Sequence, residues 1–219
     1  MTKFSKEQYE CPYCKNMGEF TMYESVNVTL DPSLREKLFS GELFECKCSK
    51  CGKTTTVLYS LLYHDMTNKF MIYYSPTDIE SVNQHYNELL TSYPGLRRSL
   101  YRTTDNINSL KEKVVILEAG LNDIVIEFAK VMAKYGDNNL PENSDLLFEG
   151  VIKSKEKQSK DAFILRVMLQ DKPQKKMMVI TREQYDYYLS IAQKEGLLNM
   201  DRYCDTVNEQ WILNRISKK

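Results

Sequence analysis

The chain has 219 residues, enough for one large domain or two small ones, and its 42% hydrophobic content is ordinary for a globular fold. Thirty Lys and Arg balance thirty Asp and Glu, so no global field draws the chain to nucleic acid or to an anionic membrane surface. The opening Met1-Thr2-Lys3-Phe4-Ser5-Lys6 lacks the apolar stretch of a signal peptide, and runs such as Phe70–Tyr74 are far too short to span a bilayer, so a cytoplasmic protein with reduced thiols is expected.

The first feature along the chain is Cys11-Pro12-Tyr13-Cys14, a C-x-x-C knuckle in which a tight turn aims two thiolates at one point. Phe20 to Leu30, rich in Val, Thr, Tyr and Phe, reads as a strand. Asp31 suits the N-cap of a helix, Pro32 its first position and Gly41 its end. Leu43 to Lys47 returns as a strand into a second knuckle, Cys48-Ser49-Lys50-Cys51. Gly52 follows it and supplies the positive φ that such a turn needs; after the first knuckle the chain has Lys15 and then Asn16, and asparagine tolerates that region well.

Two knuckles complete the tetrahedral Cys₄ set of structural zinc: Cys11, Cys14, Cys48 and Cys51. The same spacing also serves iron–sulfur clusters and redox pairs, although a redox motif needs no matching second pair. Cys46, two residues before Cys48, faces the same side of a strand and reads as a small buried hydrophobe beside the site, with a fifth ligand as the alternative. Cys204 has no partner at ligand spacing and reads as an ordinary thiol. His64, followed by Asp65, reads as a hydrogen-bonded structural histidine rather than a ligand or base, and His85 as part of an exposed helix face.

Thr54–Tyr59 and Lys69–Tyr74 are predicted strands, and Asp78 to about Leu90 a helix. Tyr93-Pro94-Gly95 is a turn and Leu96–Thr103 a strand. Asp105 is the expected cap of one long helix reaching Tyr135. Its Ile107, Leu110, Val114, Leu117, Leu121, Ile124, Phe128 and Val131 fall at alternating three- and four-residue steps, in unbroken phase through Gly120. Val115, Ile116, Val125 and Ile126 lie off that stripe, so the helix needs cover on several sides. Burial within its own domain is one reading, and a homodimer through helix 105–135 the other. Gly136 to Ser144 holds Gly, Pro, Asp, Asn and Ser, which sets the expected division: 1–136, a linker at 137–144, and a small α+β domain at 145–219. Within the last, Leu146–Lys153, Phe163–Leu169 and Met177–Ile180 are strands. Thr181 and Gln184 form a capping box for a helix to Lys194, Gly196 stops it, and 206–216 forms a terminal helix or docking segment.

The knuckles stand 33 residues apart, more than a bare ribbon needs, and the insert carries Ser25-Val26-Asn27-Val28-Thr29-Leu30-Asp31-Pro32 and Leu38-Phe39-Ser40-Gly41-Glu42-Leu43-Phe44. Leu61–Met66, Lys69–Tyr73, Leu110-x-Glu112-Lys113 and Glu118-Ala119-Gly120-Leu121-Asn122-Asp123 follow. This order resembles the bacterial CpXC family over about the first 135 residues. The resemblance implies a shared architecture and a zinc site at Cys11, Cys14, Cys48 and Cys51; it implies no biochemical activity. The fold class expected is α+β: a zinc ribbon enlarged by a strand–helix–strand insert, a long helix, and a small C-terminal α+β segment.

Three functions compete. A Cys₄ sphere leaves no open position for water or substrate, which favours a binding or scaffolding protein with structural zinc and an unknown protein partner. Nucleic-acid binding is the alternative. Residues 1–75 carry no basic excess, but between Asp145 and Arg182 nine basic residues face five acidic ones, with Lys153, Lys155, Lys157 and Lys160 at one turn and Lys172, Lys175 and Lys176 at the next. An enzyme is the third reading. Its only acidic cluster is Glu118, Asn122 and Asp123, with Glu118 and Asn122 on one helix face, and no phosphate loop or triad accompanies it.

Overall fold

The β-branched and aromatic residues flanking the first knuckle form two strands, β1 (Lys3–Glu10) and β2 (Met17–Asn27), paired antiparallel with the knuckle at the turn. β1 was not anticipated, because its half-buried face is Ser5, Glu7 and Tyr9, with Lys6, Gln8 and Glu10 exposed, and so shows no apolar alternation. In the computed structural model, residues 1–136, 140, 144–153, 161–169 and 172–217 are described. After β2, helix α1 (Ser33–Ser40) starts one residue later than the sequence suggests. Asp31 lies just outside it, accepting from the Ser33 amide and hydroxyl, and Pro32 takes the cap position. Gly41, at φ 92°, ends the helix. Leu43 and Phe44 fall in a short 3-10 turn rather than a strand, and only Glu45–Lys47 (β3) is extended, pairing with β4 (Thr54–Thr56). Then follow β5 (Leu61–Asp65), β6 (Phe70–Tyr74), α2 (Ile79–Ser92) and β7 (Leu100–Thr104). The Asp78 carboxylate caps α2 by accepting from the Ser81 amide.

The single helix expected from Asp105 to Tyr135 is two helices, α3 (Ile107–Glu118) and α4 (Asp123–Tyr135). Gly120 adopts φ 69°. Its amide bonds to Leu117 O at 3.0 Å and the Leu121 amide to Ile116 O at 3.1 Å, a Schellman closure that satisfies the last carbonyls of α3. The Asn122 side chain then accepts from the Ile124 amide and starts α4. An unbroken apolar phase says only which face is buried. A glycine beside an asparagine offers a stop and a restart that an isolated interior glycine does not. Asn106, not Asp105, caps α3, accepting from the Ser109 amide.

The C-terminal elements are β8 (Ser144–Ile152), β9 (Ala162–Leu169), β10 (Lys172–Thr181), α5 (Arg182–Lys194), β11 (Cys204–Asp205) and α6 (Glu209–Ile216). Thr181 and Gln184 make the expected capping box, and Gly196 closes α5 at φ 64°. Most of the 137–144 segment lies outside the described residues.

Six α-helices and three sheets, a mixed α+β arrangement, are present among the described residues. The sheets run β1-β2-β5-β6-β7-β11, β10-β9-β8 and β3-β4. In the first, β2–β5, β6–β7 and β7–β11 are parallel pairs, each joined by a long crossover as parallel pairing requires. By contacts the chain forms two compact units: Met1–Lys111 with Tyr203–Asp205, and Glu112–Arg202 with the segment from Thr206 onward. The first buries Val26, Leu38, Phe44, Leu61, Tyr63, Phe70, Ile72 and Tyr74. The second gathers Ile124, Phe128 and Val131 of α4 with Phe148, Phe163, Leu165 and Ile180 of the three-stranded sheet, Tyr185 and Ala192 of α5, and Ile212 of α6.

Candidate metal centre

Each knuckle is the turn of a two-stranded hairpin, and the two turns share one backbone pattern. The Cys11 amide donates to Asn16 O and the Lys15 amide to Cys11 O; the Cys48 amide donates to Lys53 O and the Gly52 amide to Cys48 O, each at 2.9 Å. The residue after the second cysteine takes positive φ in both, 58° at Lys15 and 71° at Gly52. The sequence pointed to Asn16 as the tolerant residue of the first knuckle, but the turn geometry places the demand on Lys15. That position is fixed by the i+4 amide returning to Cys11 O, whichever residue stands there.

The four sulfurs lie within 4.8 Å of one another. Cys11 Sγ and Cys51 Sγ are 3.7 Å apart, and Cys14 Sγ and Cys48 Sγ 3.6 Å. Four sulfurs each about 2.3 Å from one ion stand about 3.8 Å apart at tetrahedral angles. The spacing therefore fits a single Cys₄-bound ion and is too long for a disulfide, whose S–S bond is about 2 Å. Cys11 and Cys48 are buried, Cys14 is half-buried and Cys51 is exposed. The Tyr13 ring of the first knuckle receives Lys53 of the second, with Nζ 4.4 Å from the ring centroid.

The electrostatics of the four thiols are uneven. The Cys51 and Lys50 amides point at the Cys48 sulfur and draw its pKa down to about 6 against burial. Burial opposes ionisation of Cys11, but the Cys14 and Tyr13 amides outweigh it and lower its pKa. Cys14 goes the other way. The Asn16 amide favours its thiolate, yet burial and the three neighbouring sulfurs push it up to about 11. Four crowded thiolates repel one another, and a cation among them removes that repulsion.

Cys46 stays outside the group of four. It is buried on β3 opposite Thr55, and its side chain lies against the Tyr9 hydroxyl and, with burial, raises the Tyr9 pKa. Aromatic contacts fasten the two hairpins behind the site: Tyr9 on Phe20 at 6.3 Å, Phe20 on Tyr59 at 6.3 Å and Tyr59 on Phe44 at 5.0 Å, while the Tyr59 hydroxyl donates to Leu43 O.

Cys204 is buried; burial pushes its thiol up to about 12, and its sulfur lies 3.7 Å from Asn83 Oδ1. His64 is half-buried on β5, and burial lowers its pKa. Asp65 does not orient it: its oxygens accept from the Asn68 amide at 2.9 Å and the Asn68 side chain at 2.7 Å. His85 lies on the exposed face of α2. Glu118, Asn122 and Asp123 do not share a helix face, because the α3–α4 break falls between them; Asn122 is a cap and Asp123 is buried 3.4 Å from Lys113. Lys153 is exposed, whereas Lys155, Lys157 and Lys160 lie outside the described residues, as do the side chains of Lys172, Lys175 and Lys176. No helix among the described residues is long and apolar enough to cross a membrane.

Against known families, residues 9–130 match the profile of the CpXC protein family, more than half of the chain. No curated protein and no solved structure matches.

Proposed function

This chain belongs to the CpXC family, and from that premise we propose that it binds one zinc ion structurally through Cys11, Cys14, Cys48 and Cys51 and serves as a protein-interaction or scaffolding module. The observation that carries the reading is the convergence of four sulfurs at tetrahedral spacing from two hairpin turns of the same design. Two knuckle-tipped hairpins whose sulfurs converge support reading this part of the chain as a zinc ribbon. Zinc suits four thiolates and tetrahedral geometry, and four protein ligands leave no position for substrate. A site of this kind typically contributes about 10–16 kcal/mol of metal-linked folding energy, enough to account for the motif without chemistry. Reduced thiols match a reducing compartment such as the cytoplasm.

Elemental analysis of the purified protein should find one zinc per chain, with Cys11→Ser or Cys48→Ser losing it. Absence of zinc, or full occupancy in Cys11→Ser, overturns the reading. Nucleic acid that co-purifies and is released steeply by salt would replace the protein-interaction role with nucleic-acid binding.

A further inference from the structure

Late in its course the chain makes a short visit to the first unit. Arg202 and Thr206 belong by contacts to the second unit, whereas the residues between them, Tyr203–Asp205, belong to the first. Cys204 and Asp205 form β11, the last strand of the six-stranded sheet, which pairs in parallel with Tyr101 and Arg102 of β7. A two-residue strand makes few ladder bonds, so the side chains around it decide how firmly it stays.

Two side chains hold it. The Asn87 carboxamide of α2 meets its backbone with both ends. Oδ1 accepts from the Tyr203 amide at 2.7 Å and from the Cys204 amide at 3.1 Å, and Nδ2 donates to Cys204 O at 2.8 Å. A carboxamide carries the same donor and acceptor as a peptide group, so Asn87 stands where the backbone of a further strand would. The Arg97 guanidinium lies 4.1 Å from the centre of the Tyr203 ring and is itself fixed by donating to Leu90 O at 2.7 Å and Thr91 O at 3.2 Å. Beneath the backbone, the buried Cys204 side chain fills a seat made by Leu90 and Tyr101, with Met71 and Tyr86 packed against it. A cysteine anchor removes far less apolar surface from water than a core Leu or Phe.

We propose that Tyr203–Asp205 is a latch clamped by Asn87: it unseats as one piece while the sheet and α2 stay folded, baring the Cys204 thiol and the β7 edge at Tyr101–Arg102. Release ends the three bonds to Asn87, the ring contact with Arg97, the short β7 pairing and the burial of Cys204. The buried Leu61, Tyr63, Phe70, Ile72 and Tyr74 of the same sheet lie outside that set, so opening costs a fraction of unfolding. In the seated state burial holds the Cys204 pKa up to about 12, and a thiol reagent acts only on a bared thiolate. Unpaired strand edges are where further strands add. The seated latch, with Asn87 across its outer side, closes this one.

The test is thiol labelling of the full chain with N-ethylmaleimide, read cysteine by cysteine by peptide mass spectrometry, at urea concentrations below the unfolding transition. Labelling through global unfolding would carry the urea slope of that transition, as followed by circular dichroism. Labelling of wild-type Cys204 should carry less than about half of it, because local opening exposes little surface. Asn87→Ala should raise the Cys204 rate by about tenfold or more, the effect of losing hydrogen bonds at one side chain, and leave the Cys46 rate unchanged. Alanine suits the interior of α2, so the helix itself is not weakened. The proposal is overturned if the wild-type slope is larger than this, or if Asn87→Ala leaves Cys204 labelling unchanged or speeds Cys46 equally. Should Asn87→Ala not fold, Tyr203→Leu, which removes the ring under Arg97, takes its place; it should raise the Cys204 rate several-fold, and an unchanged rate overturns the proposal.

Discussion

At the residue scale, the two knuckles pose the same backbone demand and answer it differently. Gly52 meets positive φ at no steric cost; Lys15 meets it at a cost of about 1–2 kcal/mol. Gly52→Val should therefore weaken zinc retention against a competing chelator, whereas Lys15→Gly should retain it as well as wild type or better. Cys46→Ser and Cys204→Ser should leave zinc content unchanged, because neither sulfur belongs to the group of four. Metal uptake also has a proton signature. Cys48, drawn down to about 6, is mostly thiolate at neutral pH, whereas Cys14, pushed up to about 11, must lose its proton to become a ligand. Calorimetric titrations in buffers of different ionisation enthalpy should show net proton release on zinc binding, and affinity should fall as pH is lowered.

At the scale of elements, the α3–α4 break concentrates the informative changes. Asn122→Ala removes the side-chain acceptor for the Ile124 amide and should cost about 1 kcal/mol, read from the shift in the denaturation midpoint at constant slope. The apolar stripe expected to run through one helix is divided by this break, and the α4 part of it lies in the interior of the second unit. Phe128 is buried there, with its ring 5.9 Å from that of Tyr188. Phe128→Glu places a carboxylate among Ile124, Val131 and the sheet, and should unfold that unit rather than yield a folded monomer from a dimer. Circular dichroism together with light scattering separates these outcomes, and light scattering of the wild type at micromolar concentration tests the homodimer itself.

For the whole molecule, metal removal should act unevenly. If the proposed zinc joins the β1–β2 and β3–β4 hairpins, its chelation should quicken hydrogen exchange first around Tyr9–Asn16 and Cys46–Thr56. The interior formed by α4, α5, α6 and β8–β10 contains none of the four ligands and should stay protected. Limited proteolysis tests the proposed boundary at 137–144. First cleavage is expected in that Gly-, Asn- and Pro-containing segment, and early cleavage within Met17–Asn27 would argue against it.

Much of this was legible in the chain because it is local. C-x-x-C spacing, Gly52, the Asp78 cap, the Thr181–Gln184 box and the Gly196 stop each concern residues within a few positions of one another, where backbone geometry leaves few choices. The sequence by itself determined the four cysteines, most of the strands, and much of the apolar stripe of α3 and α4: Leu110, Val114, Leu121, Ile124, Phe128 and Val131 are buried as expected, whereas Ile116, off that stripe, is buried and Leu117, on it, only half-buried. Only the tertiary structure decided that the hairpin turns bring the four sulfurs to tetrahedral spacing, because 33 residues of intervening chain set the distance between Cys14 and Cys48. Tertiary structure alone also paired Glu112, Lys113, Asp123, Glu127 and Lys130 inside the second unit. In sequence these are charges on apolar helices, read by default as solvated; their burial depends on the turn at Gly120–Asn122, which folds α4 back so that opposite charges on two helices satisfy one another away from water.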